Sequence, residues 1–314
     1  MWLVVVALQT GCSEEGPPGS PAGTWTARAS LSLGPRQEMG VAAVQGRVYV
    51  IGGFDRNGAV LATVEAYDPA TDGWTPRSAL PTPLHHVNVA AVGDRLYVVG
   101  GLSGSGFGAV GITLAYDPAG DTWTPLDGMP AGTERGASGV AVVGTRIYVA
   151  GGLRAGISVS DFSAFETVSG TWEPLPSMTV ARDHLAAAAH AGQVFAISGR
   201  EGGALQAAVE MFDPASSGWT LRTSIPTARG GIAAAELSGQ LVVMGGEGNA
   251  ADRHGIFHQT ESYDPVLDRW TTLAPMRTGR HGIGAATVDG KLYVPGGATE
   301  QGFGAVAVHE SFSL

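Results

Sequence analysis

Short apolar segments, separated by small and polar turn residues, follow one another along almost the whole chain. The segment Gly40–Val44 (GVAAV) is followed by the turn Gln45-Gly46 and by residues 48–51 (VYVI), which end at the glycine pair Gly52-Gly53. Val, Ile, Tyr and Thr between Gly, Asp and Pro are typical of short strands joined by tight turns. No segment shows a sustained helical period, so the pattern predicts an all-β protein.

The same order of features recurs six times along the chain. Tryptophans separated by 49, 49, 49, 47 and 51 residues mark the period: Trp25, Trp74, Trp123, Trp172, Trp219 and Trp270. Five glycine pairs, with Ser198-Gly199 in the remaining slot, begin at Gly52, Gly100, Gly151, Gly245 and Gly296. Four units carry an aromatic–acid–proline turn before the tryptophan, beginning at Tyr67, Tyr116, Phe212 and Tyr263. A fixed period of this length predicts a repeat architecture with about four short strands in each unit.

An arginine, a glycine pair, a Tyr-Asp turn and a tryptophan in this order resemble the kelch repeat of β-propellers. The resemblance covers residues 25–314 and implies a six-bladed propeller with one unit per blade. The sixth copy ends at residues 311–314 before any tryptophan, whereas Trp25 stands unpaired near the start. We therefore expect residues 25–28 to form the outer strand of the last blade, which removes the open edges of the sheets. The predicted propeller domain spans residues 24–314.

Residues 1–23 are expected to form a partial export signal and a tether. Residues 3–8 are apolar but too few to span a bilayer. Gly11-Cys12 resembles the end of a bacterial lipoprotein signal, in which the cysteine becomes acylated, and residues 13–22 form a polar Gly/Pro/Ser segment. The alternative is a frayed tail with an incidental cysteine. The lipoprotein interpretation predicts a bacterial cell-envelope protein, periplasmic or on the outer surface, that is lipid-anchored at Cys12 or secreted.

Composition and charge exclude several classes of function. The 18 Lys and Arg residues against 28 Asp and Glu give a net charge of −10, which argues against a nucleic-acid partner. The single cysteine excludes a disulfide framework and any multi-cysteine metal site. It also lies too near the start to supply the cysteine–tyrosine cross-link of the copper kelch oxidases. We expect a monomer without a cofactor or metal, attached to a membrane only through its lipid.

Arginine occurs at one equivalent position in five of the six units, 16 residues before the first residue of the glycine-pair slot. These residues are Arg36, Arg135, Arg182, Arg229 and Arg280, with Leu84 in the second unit. The kelch resemblance implies that the position lies in a loop on one face of the propeller. One interpretation is a repeated residue that braces this loop. The other is a ring of guanidinium groups at the channel mouth, which would bind carboxylate groups of an acidic ligand.

Two residues after this position, Glu38, His86 and His184 depart from the small residues of the other units. The small residues are Ala137, Gly231 and Gly282. A carboxylate and two imidazoles beside a channel can act as an acid/base pair or as metal ligands. Since the three residues come from units one, two and four, we predict ligand binding rather than a metal site. The residues one position earlier are expected to point the other way: His85, Asp183 and His281.

Three further features of the sequence bear on a possible site. The loop in unit five, residues 247–259, carries Asp252, Arg253 and His254 and is either a recognition loop or a solvated one. Residues 106–111 match G-x-G-x-x-G, but they lead into a strand rather than a helix, so they do not indicate a dinucleotide site. A repeated glutamate two residues before the third-strand aromatic is expected to be framework: Glu65, Glu210, Glu261 and Glu310.

Kelch propellers include both enzymes and binding scaffolds, so the fold alone does not decide the function. The preferred interpretation is a non-enzymatic binding module that takes a protein or carbohydrate ligand through the loops of one face. The alternative, implied by resemblance to the six-bladed sialic-acid mutarotases, is an enzyme acting on acidic sugars at the channel mouth. Convergence of Glu38, His86 and His184 on one pocket would favour the enzyme, and a wide, flat face would favour partner binding.

Overall fold

The computed structural model describes residues 21–314, which form six four-stranded antiparallel sheets arranged as propeller blades. From the channel outward, blade one contains β2 (Gly40–Val44), β3 (Arg47–Ile51), β4 (Val64–Asp68) and β5 (Gly73–Arg77). Blade two contains β6 (Val89–Val92), β7 (Arg95–Ser103), β8 (Gly108–Asp117) and β9 (Thr122–Leu126). Blade three contains β10 (Gly139–Val143), β11 (Arg146–Ala150), β14 (Phe162–Glu166) and β15 (Thr171–Leu175), with a small hairpin of β12 (Leu153–Arg154) and β13 (Ile157–Ser158).

The remaining blades repeat this plan. Blade four contains β16 (Ala186–His190), β17 (Gln193–Ile197), β20 (Val209–Asp213) and β21 (Gly218–Arg222), with a hairpin of β18 (Arg200–Glu201) and β19 (Ala204–Leu205). Blade five contains β22 (Ala233–Leu237), β23 (Gln240–Met244), β24 (Thr260–Asp264) and β25 (Arg269–Leu273). Blade six contains β26 (Ala286–Val288), β27 (Lys291–Pro295), β28 (His309–Ser313) and β1 (Thr24–Arg28). The predicted all-β, six-bladed propeller is confirmed.

The blades pack face to face around the channel. The innermost strands contact one another in the order β2, β6, β10, β16, β22 and β26, and β26 returns to β2. Apolar side chains fill the space between adjacent blades, as where Ile51 and Val64 of blade one pack with Leu96 of blade two. No helix occurs within residues 21–314, so this part of the chain contains none that could cross a membrane.

The predicted closure of the last blade by the N-terminal strand is confirmed. Strand β1 pairs antiparallel with β28, with Trp25 opposite Phe312 and Arg28 opposite His309. Gly23 precedes this strand with φ +94°, and a Cβ there would lie 2.1 Å from the Phe312 ring. Only glycine fits both the backbone angle and the space at this entry point.

The repeated tryptophans join neighbouring blades. Each indole Nε1 donates a hydrogen bond of 2.7–3.2 Å to a backbone carbonyl just after the outer strand of the preceding blade. In chain order from Trp25 to Trp270, the acceptors are Ala274, Ala29, Ser78, Asp127, Pro176 and Thr223. The six bonds therefore form a complete outer ring that includes the junction between blades five and six.

The five repeated arginines lie inside the blades and do not line the channel mouth. All five are fully buried, with 0% of their surface exposed. Their guanidinium groups donate to backbone carbonyls of their own blade, as Arg182 does to Ser198 and Ala208. Four of them also pair with the repeated glutamate: Arg36–Glu65, Arg182–Glu210, Arg229–Glu261 and Arg280–Glu310.

The hypothesis of an exposed guanidinium ring is therefore wrong for Arg36, Arg135, Arg182, Arg229 and Arg280, because a buried and paired guanidinium cannot meet a ligand. The bracing interpretation and the framework role of the glutamates are confirmed. Desolvation by burial lowers the pKa of Arg36 and of Arg135 to about 10 in each case. Hydrogen bonds and ion pairs inside the blade offset this desolvation.

Blades two and three lack the arginine–glutamate ion pair, and each has a compatible pair of residues in its place. In blade two both positions are apolar, and Leu84 and Leu114 belong to one buried cluster. In blade three Arg135 remains. Ser163 occupies the glutamate position, and its Oγ accepts a hydrogen bond from Arg135 Nη2 at 2.9 Å. The two positions thus change together, as expected for partners in a buried contact.

The N-terminal strand should be required for stability. Deleting residues 1–28 removes β1 and leaves β28 as an exposed edge that can pair with other chains. We expect a lower melting temperature and aggregation, measured by thermal unfolding and light scattering. Deleting residues 1–21 leaves β1 in place and is the matched control. Equal behaviour of the two truncations would contradict this closure.

A second prediction concerns the buried ion pair of blade four. Arg182→Leu leaves Glu210 buried without its charged partner, which should destabilise the fold by roughly 3–5 kcal/mol. The double change Arg182→Leu and Glu210→Leu reproduces the apolar pair of blade two and should recover most of this loss. The free energy of unfolding in urea measures both effects, with the exposed Arg95→Ala as control. A double variant no more stable than Arg182→Leu would refute the compensation.

Candidate functional site

One residue from each blade lies at the propeller axis, two residues after the repeated arginine position. These residues are Glu38, His86, Ala137, His184, Gly231 and Gly282. The N–H of each donates to the carbonyl of the one before it, at 2.6–3.1 Å, and the N–H of Glu38 donates to Gly282. The six hydrogen bonds form a closed inner ring. Because every blade supplies one donor and one acceptor, the ring fixes where each axial side chain starts.

The inner ring requires a left-handed backbone at every axial residue. Their φ angles lie between +49° and +66°. Glycine adopts this conformation freely, whereas other residues are disfavoured by roughly 1–2 kcal/mol each. Glu38, His86 and His184 occupy it although glycine or alanine serves elsewhere in the same ring. Such strain is concentrated at functional sites, and here it points to these three side chains.

The structure brings Glu38, His86 and His184 together. The Nε2 atoms of the two histidines lie 3.0 Å apart, and His86 Nε2 lies 3.3 Å from Glu38 Oε2. One ligating atom from each of the three residues lies within 4.8 Å of the others. Both imidazoles are buried, and Glu38 is partly buried. Residues from blades one, two and four therefore converge on the axis. Their large separation along the chain gave no sign of this proximity.

The residues one position earlier also face this cluster, so the expectation that they point away is wrong. His85 Nδ1 lies 2.6 Å from His86 Nδ1, and Asp183 Oδ1 lies 2.5 Å from His184 Nδ1. His281 Nδ1 lies 3.7 Å from Glu38 Oε1. Adjacent residues alternate sides only in extended chain, and the left-handed residue that follows each of them breaks this alternation.

Two charged residues of the cluster were not identified as site residues from the sequence. Arg200 donates to Asp183, to Glu247 and to His184 Nε2, at 3.1, 2.5 and 3.0 Å respectively. Arg200 and Glu247 directly follow the glycine-pair slots of blades four and five, and each bridges to the residue that precedes an axial one. The equivalent residues in the other blades are apolar: Phe54, Leu102, Leu153 and Ala298. This departure from an apolar repeat position is the signal that would have identified them.

Burial controls the protonation of His85 and His86, whereas its effect on Asp183 is overridden. Desolvation, with a further contribution from His184, lowers the pKa of His86 well below its ordinary value. Desolvation also lowers the pKa of His85 to about 4. Burial acts to raise the pKa of Asp183, but hydrogen bonds from His184 and Ser158 and the charge of Arg200 lower it overall. At neutral pH the imidazoles of His85 and His86 are thus uncharged, and Asp183 is ionised.

The cluster forms the floor of a cavity of about 180 Å³ on the loop face. Three aromatic side chains line its walls: Phe54, Phe107 and Phe303. Phe107 lies in the turn between β7 and β8, inside the G-x-G-x-x-G match, which leads into strand β8 as expected. A second cavity of about 90 Å³ lies along the channel and is lined by axial residues and by apolar ones such as Met39 and Leu185. The cavity on the loop face is the candidate ligand site.

The predicted residues of the blade-five loop do not line this cavity. Asp252 accepts the backbone N–H of His254 at 2.8 Å and of Ile256 at 3.3 Å, and these bonds lower its pKa. His254 Nδ1 lies 3.7 Å from Glu300, and Arg253 is exposed. None of Asp252, Arg253 and His254 is among the residues around the cavity. The loop contributes its first residue, Glu247, to the site instead.

Comparisons with known proteins agree with this architecture. The family model described as KLHDC2/KLHL20/DRC7 Kelch-repeats domain matches residues 23–180, and the Kelch motif matches residues 228–277. The Kelch-like protein terF of Aspergillus terreus is 31% identical over 331 aligned positions, which cover 98% of this chain and 72% of terF. Beta-scruin of Limulus polyphemus is 40% identical over 60 residues, or 19% of this chain and 6% of scruin.

A solved structure has the same fold. The protein in "Structure of YjhT" aligns with a TM-score of 0.74 and 17% identity, covering 92% of this chain and 98% of that one. At this identity the likeness shows the fold alone. The matches to the family models and to terF, together with the six blades and their repeated tryptophans, show that this chain belongs to the kelch-repeat family.

Proposed function

We propose that the chain is a kelch propeller that binds a small, hydroxyl-rich ligand of the carbohydrate class in the cavity on its loop face. The observation that carries the proposal is the convergence of Glu38, His86 and His184 on the floor of one open cavity. A concave site with a few converging polar groups suits a small molecule better than a flat protein surface. Its volume of about 180 Å³ is below the roughly 300–1,000 Å³ of pockets for larger ligands, which favours a ligand of monosaccharide size.

The charges around the cavity favour a neutral ligand over an acidic one. Glu38, Glu247 and Asp183 surround the cluster, and Arg200 is the guanidinium that reaches it. Arg200 already pairs with two of these carboxylates. A ligand carboxylate would therefore meet an excess of negative charge. The phenylalanine walls can pack against the apolar faces of a sugar ring while the carboxylates accept bonds from its hydroxyl groups.

A second candidate function is an enzyme that acts on sugars at this cavity. The observation in its favour is the pairing of His184 with Asp183 beside Glu38, since an oriented imidazole and a nearby carboxylate can move protons to and from a hydroxyl group. The predicted alternative, a mutarotase-like enzyme for acidic sugars, fits these acid/base groups but not the surplus of negative charge. The convergence of Glu38, His86 and His184 on one cavity is the outcome expected for an enzyme rather than for a flat partner-binding face. Sugar binding is common to both candidates and needs only the cavity and its lining, whereas the enzyme also needs a proton-transfer step, so sugar binding is the first proposal.

Export and a lipid anchor on Cys12 belong to the proposal on the sequence pattern alone, since Cys12 lies outside the described residues. A lipid-anchored propeller would present its cavity in the cell envelope. This component of the proposal is independent of the ligand.

Binding of neutral sugars should depend on the aromatic wall. We expect saturation-transfer NMR to detect binding among a panel of neutral hexoses and N-acetylhexosamines but not among hexuronic acids. Phe107→Ala removes one ring face and should weaken binding about tenfold, equivalent to about 1.4 kcal/mol. Val168→Ala, in an exposed turn between β14 and β15, is the control. Binding of hexuronic acids alone would overturn the charge argument, and no binding in the panel would refute the sugar proposal.

The lipid anchor has its own test. In a bacterial host, Cys12→Ser should move the protein from the detergent-extracted membrane fraction to the soluble fraction, because the thiol that carries the lipid is lost. Fractionation followed by immunoblotting measures the distribution, with the full sequence as reference. An unchanged distribution would exclude acylation at Cys12.

A further inference from the structure

We propose that Glu38, His86 and His184 form a binding site for a divalent transition-metal ion, preferentially Zn²⁺, whose remaining coordination position faces the cavity on the loop face. The inference goes beyond sugar binding, because it concerns the chemistry of the cavity floor and is tested without any sugar. It also revises the prediction that these residues bind no metal.

Two of the three distances between these side chains are close to the edges of a zinc coordination sphere, and all three lie within 4.8 Å. Zinc binds imidazole nitrogen and carboxylate oxygen at about 2.0–2.2 Å, so neighbouring ligand atoms in a tetrahedral site lie roughly 3.3–3.5 Å apart. The Nε2 atoms of His86 and His184 are 3.0 Å apart, and His86 Nε2 is 3.3 Å from Glu38 Oε2. Small side-chain movements suffice to accept the ion.

Hydrogen bonds around His86 leave a lone pair on its Nε2 atom. His85 Nε2 lies 3.1 Å from the carbonyl oxygen of Gly104, which can only accept, so this Nε2 carries the proton. The Nδ1 of a neutral His85 is then an acceptor, and His86 Nδ1, 2.6 Å away, must donate to it. His86 therefore presents an unprotonated Nε2 to the axis.

The surroundings of His184 lead to the same result. Its Nδ1 lies 2.5 Å from Asp183 Oδ1 and donates to that carboxylate. Its Nε2 is an acceptor, in agreement with the Arg200 Nη2 donor at 3.0 Å. A carboxylate that orients an imidazole through its far nitrogen is the usual partner of a metal-binding histidine.

Two lone pairs and a carboxylate thus face one another, and no hydrogen bond can join the two Nε2 atoms in these tautomers. A cation between them turns this repulsion into coordination. Arg200 donates only to the lone pair of His184 and leaves that of His86 without a donor. If a metal ion takes the His184 lone pair, Arg200 keeps its bonds to Asp183 and Glu247. The surroundings carry three carboxylates, from Glu38, Asp183 and Glu247, against one guanidinium, an excess of two negative charges that a dication balances.

A buried and unpartnered nitrogen aimed at the same place is an independent observation. His281 is 1% exposed, and its Nε2 lies 2.9 Å from the carbonyl of Glu300, to which it donates. Its Nδ1 has no hydrogen-bond partner and faces Glu38 and Glu247 at 3.7 and 3.5 Å. In the neutral ring this Nδ1 carries a lone pair, which is unfavourable opposite two carboxylates. A metal ion, or water bound to it, at the centre of the cluster would satisfy all three groups.

The donor set selects the class of metal. Two imidazoles and one carboxylate, without a thiolate, are typical of zinc sites that retain an open position and of other late first-row divalent ions. Mg²⁺ and Ca²⁺ prefer sites made only of oxygen. The open position would lie toward the cavity, where a hydroxyl or carbonyl oxygen of a ligand could reach the ion.

The chain offers well-matched variants for a test. Ala137 occupies the axial position of blade three with the same left-handed backbone, so His86→Ala and His184→Ala place a residue that the inner ring already accepts. His190, at the end of β16 and outside the cluster, provides the control His190→Ala. Circular dichroism verifies that each full-length variant is folded.

The experiment is a titration of the chelator-treated full-length chain with Zn²⁺ alone, in competition with a chromophoric chelator. We expect one Zn²⁺ per chain and at least about 100-fold weaker binding in His86→Ala, His184→Ala and Glu38→Gln. Asp183→Asn, a positioning change, should weaken binding about 10- to 100-fold. Co²⁺ should give an intense visible absorption band that is absent from His184→Ala. No stoichiometric binding by the folded chain, or equal binding by the His86→Ala and His190→Ala variants, would refute the metal site. Either result would leave the sugar-binding proposal standing, because that proposal is tested separately by NMR.

Discussion

The closed ring of six backbone hydrogen bonds at the axis is the constraint on which the rest of the molecule depends. Each blade supplies one N–H and one carbonyl, so the ring closes only if all six blades are present and correctly spaced. The outer ring of tryptophan hydrogen bonds imposes the same condition at the rim. Strand β1 completes the outer ring, because it brings Trp25 to Ala274 and is followed by Ala29, which accepts from Trp74. Local pairing within blades and global closure are thereby coupled.

Between these two rings, each blade is braced from inside by a buried guanidinium or its replacement. An ion pair in an apolar interior gains little net stability, because both charges lose their hydration. Its loss on one side is nevertheless costly, which explains why Leu84 occurs with Leu114 and why Ser163 still accepts from Arg135. Four of these arginines also donate to the carbonyl of the first residue in the glycine-pair slot, so they hold the loop that leads to the site. Bracing and site placement are therefore two results of one contact.

The fold could be predicted from the sequence because the repeat encodes it six times, and the unpaired Trp25 revealed how the ring closes. The site was only partly predictable. Glu38, His86 and His184 were recognisable as departures from a small-residue position, but their convergence depends on the circular arrangement of blades far apart in sequence. Counting residues also could not give the burial of Arg182 or the direction of Asp183. The first depends on packing inside the blade, and the second on a left-handed backbone that the residue types did not indicate.

The inner ring also explains how a rigid scaffold can carry such a cluster. The left-handed backbone disfavours Glu38, His86 and His184, yet each N–H and carbonyl is held on both sides by neighbouring blades. Such over-determination lets strained residues persist at a functional site. Hydrogen bonds donated to Asp183 and His85 then fix the orientation of two imidazoles without using the atoms that face the axis. Backbone closure thus positions the side chains, and hydrogen bonds set the tautomers of His86 and His184. The lone pairs that face the axis are the groups that a bound cation or a polar ligand would satisfy.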